Sequence, residues 1–135
     1  MKLNTYMYNL GLVFEYIAFK NSNKAALITE EKTISFNELN ILSNKIVGLI
    51  VKKGLVKNDV VAIVHDKSQV AYSLMIACLK LGVIYTCLDP NSPKKRIDKI
   101  LKISNPKLIF SYKDLEIKNF ETLFYNKEDF IKSLK

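Results

Sequence analysis

The sequence has no tryptophan, one histidine, one arginine, two cysteines, three prolines and four glycines among 135 residues, and each shortage removes a class of chemistry. Glycine lets a backbone approach phosphates closely, yet none of Gly11, Gly48, Gly54 and Gly82 follows an expected strand and opens a helix, so neither a dinucleotide fingerprint nor a phosphate loop is encoded. Cys78 and Cys87 form no Cys-x-x-Cys pair, and with His65 as the lone imidazole they make no zinc set. Both are expected to be buried free thiols in the most apolar part of the chain. Long apolar runs are absent as well. The longest, Leu74 to Leu88, is broken by Lys80 and Gly82 and is too short to span a bilayer. Met1 to Gly11 lacks the apolar centre of a signal peptide, so a cytoplasmic, non-membrane protein is expected. The net charge of +8 comes almost wholly from dispersed lysines, and with Arg96 as the lone guanidinium no nucleic-acid partner is expected.

What the chain does contain is alternation of helix and strand. Leu10 to Lys20 repeats apolar residues at helical spacing, with Leu10, Val13, Phe14, Ile17 and Ala18 on one side. Ala25 to Thr29 and Thr33 to Phe36 flank Glu30-Glu31-Lys32 as a short hairpin. Ser35-Phe36-Asn37-Glu38 is a capping box, in which the hydroxyl takes the N3 amide and the carboxylate reaches back. The helix it opens buries Leu39, Leu42, Ile46, Leu49 and Ile50 and is closed by Gly54. Val60 to Val64 is a buried strand, and Ser68 to Leu81 a helix stopped by Gly82. Val83 to Leu88 is nearly continuous in apolar residues and predicts a strand buried on both faces. Ser92 as N-cap and Pro93 at N1 predict a helix to Ser104 with Ile97, Ile100, Leu101 and Ile103 inside and Lys94, Lys95, Arg96, Lys99 and Lys102 outside. Leu108 to Ser111 is another strand.

After Tyr112 the signal weakens to a strand within Phe120 to Tyr125 and a terminal helix from Lys127 to Leu134 capped by Asn126. Short loops between alternating elements imply right-handed crossovers, hence an α/β fold with helices packed on a parallel sheet and a small N-terminal hairpin. No repeat or linker divides the chain, so 1–135 is expected to be one domain.

Few residues are candidates for chemistry. His65 and Asp66 stand at the carboxyl end of a strand, where open α/β sheets bind ligands. No serine or cysteine elbow accompanies them, and a polar loop whose Asp66 or Ser68 caps the next helix accounts for the same residues. Asp89 at a strand end suggests a phospho-receiver, but one helix alone separates the two strands where a receiver needs a further strand and helix. No catalytic, cofactor-binding or metal-binding residue is expected.

Three segments carry a resemblance. Ile34-Ser35-Phe36-Asn37-Glu38-Leu39-Asn40, Lys57-Asn58-Asp59-Val60-Val61-Ala62-Ile63, and Leu79-Lys80-Leu81-Gly82-Val83-Ile84-Tyr85-Thr86-Cys87-Leu88-Asp89-Pro90 continued by Pro93 and Arg96, are similar in order and spacing to the opening motifs of the adenylate-forming (AMP-binding) enzymes. That family comprises acyl-CoA ligases, luciferases and the amino-acid adenylation domains of peptide synthetases. Asn40 and Leu88-Asp89-Pro90 resemble the amino-acid-activating members most.

The resemblance implies the N-terminal part of an enzyme that joins a carboxylic or amino acid to ATP as an acyl-adenylate. In the family, the phosphate-cradling loop, the ribose-binding aspartate and the catalytic lysine lie downstream of the matched part. It therefore implies a truncated product, inactive alone, with ATP and magnesium belonging to the complete enzyme. It implies a scaffold role for Ser35, Phe36, Glu38, Leu39, Asp59, Gly82, Tyr85, Asp89, Pro90, Pro93 and Arg96. The expected partner is the remainder of an adenylating enzyme; the alternative is a non-enzymatic module that docks on a partner or self-associates.

Overall fold

The computed structural model describes residues 9–134. The expected domain limits at Met1 and Lys135 lie outside the described residues. In chain order the elements are α1 (Leu10–Lys20), β1 (Ala25–Ile28), β2 (Thr33–Ser35), α2 (Phe36–Lys52), β3 (Val60–Val64), α3 (Gln69–Leu81), β4 (Ile84–Leu88), α4 (Lys94–Ser104), β5 (Leu108–Ser111), β6 (Thr122–Phe124) and α5 (Glu128–Ser133). Among the described residues no helix is long and apolar enough to cross a membrane.

β1 and β2 form the antiparallel hairpin, its turn tied by Thr29 Oγ1, which donates to the Lys32 carbonyl at 2.9 Å. The other four strands make one parallel sheet in the order β4-β3-β5-β6. The β3→β4 and β4→β5 crossovers run in opposite directions, and right-handedness therefore puts α3 and α4 on opposite faces. The core divides accordingly. Val61, Ile63, Leu108 and Phe110 pack with Ile46, Ile50, Leu74 and Cys78 of α2 and α3, while Ala62, Val64, Leu88 and Ile109 pack with Ile97 and Leu101 of α4. Phe130 and Leu134 close the first layer, and the buried Tyr125 hydroxyl donates to the Val64 carbonyl at 2.7 Å, anchoring the last segment to the central strand.

Several sequence expectations need correction. β4 is not buried on both faces: it is the outermost strand, paired with β3 alone, so Ile84 is 52% exposed and Cys87 lies at the surface, while Cys78 is buried. A continuous apolar run does not distinguish a central strand from an edge strand. Ile103 points out of α4, at 75% exposure. Pro93 is itself the N-cap of α4 with φ −54° and ψ 141°, and no side chain caps that helix, so Ser92 does not serve. Lys127, rather than Asn126, is the N-cap of α5. In α1 the inward residues are Gly11 and Ala18, whereas Leu10 is 65% exposed.

Candidate functional site

The capping box forms as its residues require. Ser35 Oγ accepts from the Glu38 amide at 3.2 Å and Glu38 Oε2 accepts from the Ser35 amide at 2.8 Å; the Ser35 amide, with the Ser35 hydroxyl second, holds the Glu38 carboxyl below its usual pKa. Leu39 is buried behind the box, and Phe36 lies 6.2 Å from Phe14, joining α2 to α1.

One turn further along α2, Asn40 Oδ1 accepts from Lys80 Nζ at 2.6 Å and Asn44 Oδ1 accepts from the same ammonium at 2.7 Å. Glu15 of α1 stands 3.5 Å away, and the Phe14 ring centroid 5.8 Å. The Lys80 side chain is only 7% exposed, and burial lowers its pKa. One ammonium thus joins α1, α2 and α3, and it links the first family-like segment to the third. The sequence hint was a lysine interrupting an apolar run, which helical spacing alone does not separate from an ordinary surface lysine.

Asp59 shapes the lead-in to β3. Its Oδ2 accepts from the Val56 amide at 2.7 Å and its Oδ1 pairs with Lys107 Nζ at 2.8 Å, and the lysine first, then the amide, depresses its pKa. The Asn58 amide bonds the Gly82 carbonyl at 2.9 Å, and Gly82 ends α3 at φ +69°, the left-handed conformation that favours glycine. Tyr85 packs half-buried on the α3 face. At the other end of β4, Asp89 Oδ1 accepts from the Asn91 amide at 2.9 Å and the Asp89 carbonyl accepts from the Ser92 amide at 3.0 Å, a turn that Pro90 and Pro93 carry into α4; Arg96 is exposed on its outer side.

The carboxyl ends of β3, β4 and β5 border an open groove of about 670 Å³, lined by His65, Tyr72, Met75, Cys87, Asp89 and Tyr112 among others. His65 Nδ1 accepts from the Lys67 amide at 2.9 Å, Asp66 Oδ1 accepts from the Ser68 amide at 2.9 Å, and Ser68 Oγ accepts from the Ala71 amide at 3.2 Å as the α3 cap. His65 and Asp66 are each committed to their own turn and form no dyad. His65 Nε2 is buried without a partner, and its ring meets Tyr72 edge-on at 4.7 Å. Partial burial raises the pKa of the Cys87 thiol and keeps it protonated.

A phosphate group finds no cradle here: the turns after β3, β4 and β5 contain no glycine. Nor do the described residues include any group of three or more His, Cys, Asp and Glu suited to a metal.

Burial holds the His65 imidazole below its ordinary pKa of 6.5, against the opposing pull of the Asp66 carboxylate and with that of Lys67. The unfolded chain therefore binds this proton more readily than the folded one. Stability from His65 is present above pH 6.5 and is lost as pH falls below that value. Thermal melts between pH 7.5 and 5 are expected to show a falling midpoint that is flatter in a His65→Gln variant.

A family model described as AMP-binding enzyme matches residues 14–131. Among curated proteins, Gramicidin S synthase 1 of Brevibacillus brevis is 31% identical over 103 residues, 76% of this chain and 9% of that protein. Tyrocidine synthase 2 of Brevibacillus parabrevis is 33% identical over 103 residues, 76% of this chain and 3% of that protein. The chain thus spans less than a tenth of the length of either relative. Among solved structures, the N-terminal subdomain of Klebsiella oxytoca NpsA in complex with 3-hydroxyanthranilyl-AMSN superposes with a TM-score of 0.84 at 22% identity, covering 96% of this chain and 32% of that one. A second crystal form of that subdomain gives 0.85, with 34% of its chain covered.

Proposed function

The chain belongs to the AMP-binding enzyme family, and we propose that it supplies the first structural segment of an enzyme that activates a carboxylic acid, an amino acid by the peptide synthetases it matches, as an acyl-adenylate. In this reading Ser35, Phe36, Glu38, Leu39, Asp59, Gly82, Tyr85, Asp89, Pro90, Pro93 and Arg96 are scaffold residues. They set helix caps, the lead-in to β3 and the corner after β4.

The observation that carries the proposal is that the second and third family-like segments pair as β3 and β4 of one sheet while the Lys80 joint ties the third to the first, beside a carboxyl-end groove whose turns carry no glycine. ATP and magnesium belong, on this view, to the rest of a complete enzyme, and the 135 residues by themselves adenylate nothing. Titration with Mg·ATP tests it. No saturable binding tighter than about 1 mM is expected, equivalent to less than about 4 kcal/mol; micromolar binding would overturn the assignment.

A further inference from the structure

One edge of β4 carries no partner strand among the described residues. β4 meets β3 in five uninterrupted register pairs, Val60↔Ile84 to Val64↔Leu88, and no other strand among the described residues lies beyond it. Soluble proteins blunt such edges with lysine, proline, a bulge or brevity. Ile84-Tyr85-Thr86-Cys87-Leu88 has no charge, no proline and no bulge, and leaves Ile84 and Cys87 exposed on a chain of net charge +8. The opposite edge, β6, has three residues and is flanked by the Lys53–Glu121 pair at 2.6 Å.

We propose that β4 joins a second copy of this chain across a twofold axis through Thr86. This inference stands apart from the role in acid activation. The Ile84 amide donates to the Asp59 carbonyl at 2.8 Å, so Ile84, Thr86 and Leu88 direct their backbone groups to β3, and Tyr85 and Cys87 direct theirs outward. Directly opposite residues of a hydrogen-bonded antiparallel pair exchange both bonds. With the axis at Thr86, Tyr85 faces Cys87 of the second copy and the reverse, which fills every outward donor and acceptor of the strand. Exposed Ile84 then lies opposite the second copy's Leu88.

Charge selects the same orientation. Lys57, whose Cγ sits 3.1 Å from where a Gly82 Cβ would be, marks the amino end of β4, and Asp89 marks its carboxyl end; both are exposed. Antiparallel pairing brings each Asp89 beside the other copy's Lys57, twice by symmetry, whereas parallel pairing would bring like to like.

Sedimentation equilibrium from about 1 μM to about 500 μM spans the affinities of weak homodimers. The expected result is a mass rising from 15.5 kDa toward twice that value. Thr86→Cys in a Cys87→Ser background is expected to form an intermolecular disulfide under mild oxidation, because a non-hydrogen-bonded antiparallel pair holds its Cα atoms about 4.5 Å apart, within disulfide reach. Cys87→Pro removes an outward N–H while sparing the β3 ladder and is expected to abolish the dimer. Lys57→Glu should weaken it on the order of tenfold, and Asp89→Lys in the same chain should restore it. The swap decides the matter even where the proline variant fails to fold. A monomer throughout the range, or a dimer that is indifferent to the charge swap and that Thr86→Cys fails to crosslink, overturns the inference.

Discussion

Replacing Lys80 with methionine is expected to destabilise the fold by about 1–2 kcal/mol, because the half-buried Asn40 loses a charged donor while the exposed Asn44 turns to water. Asn40 Oδ1 and Asn44 Oδ1 receive this ammonium at 2.6 and 2.7 Å, and the lysine stem fills space between three helices. Methionine keeps most of that volume, so the loss reports the polar joint rather than a cavity. A competing effect runs the other way: burial of the ammonium is itself costly, as its lowered pKa indicates, and removing it recovers part of that cost. The acceptor left at half-buried Asn40, with the lost bonds, outweighs that recovery. In a chain of this size the midpoint should fall by about 5 °C. Changing Asn40 and Asn44 to leucine together with Lys80→Met should recover part of the loss, since apolar groups of similar shape then replace all partners. A Lys80→Met midpoint within about 2 °C of the parent would mean that the joint contributes little.

Gly11→Ala and Gly48→Ala are expected to change stability in opposite directions although both glycines lie in helices. Helix propensity alone favours alanine by about 1 kcal/mol at either place. At Gly48 nothing lies within 4 Å of an added Cβ, so a gain of about 0.5–1 kcal/mol is expected. At Gly11 the added Cβ would sit 2.8 Å from the Lys80 Cα and N and 2.9 Å from the Leu79 carbonyl carbon. Those are backbone atoms of α3 and cannot swing aside, so α1 must shift. The strain outweighs propensity, and a net loss of about 1–3 kcal/mol is expected. Displacing α1 also draws Glu15 and Phe14 from Lys80, so Gly11→Ala and Lys80→Met should be non-additive. Chemical denaturation of the two glycine variants reads the sign directly, and a stabilised Gly11→Ala protein would contradict the close α1–α3 approach.

Features written within a few residues of sequence were legible. The Ser35/Glu38 box, the Ser68 cap and the Gly82 stop each depend on a local hydrogen bond or a left-handed φ, and all three form. The alternation of strands and helices carried the parallel sheet. Features set by distant neighbours were not legible. Ile84 and Cys87 belong to an apolar run that would suit a central strand, and only the strand order makes them surface residues. α1 is apolar nearly all round, so the face read from periodicity, Leu10, Val13, Phe14, Ile17 and Ala18, is the inner one only in part; Gly11, small enough to meet the α3 backbone, decides the side that turns inward. Ser92 and Asn126 are good caps by composition, yet the neighbouring Pro93 and Lys127 take the N-cap positions without any side-chain bond. At the groove, the reading of His65 to Ser68 as a polar loop that caps the next helix already gave these residues to turn and cap, whereas the Lys80 joint needed three helices in place before it could be seen.

Following backbone amide resonances while Mg·ATP is added tests the scaffold assignment most directly, because it reads the turns after β3 and β4 individually. The expected result is no saturable shift at His65 to Ser68 or at Asp89 to Ser92 up to millimolar nucleotide, with small linear drifts confined to exposed lysines such as Lys94 and Lys95. Saturable shifts converging on His65, Cys87, Asp89 and Tyr112 would place a nucleotide site in the groove and contradict the assignment of these residues to structure alone.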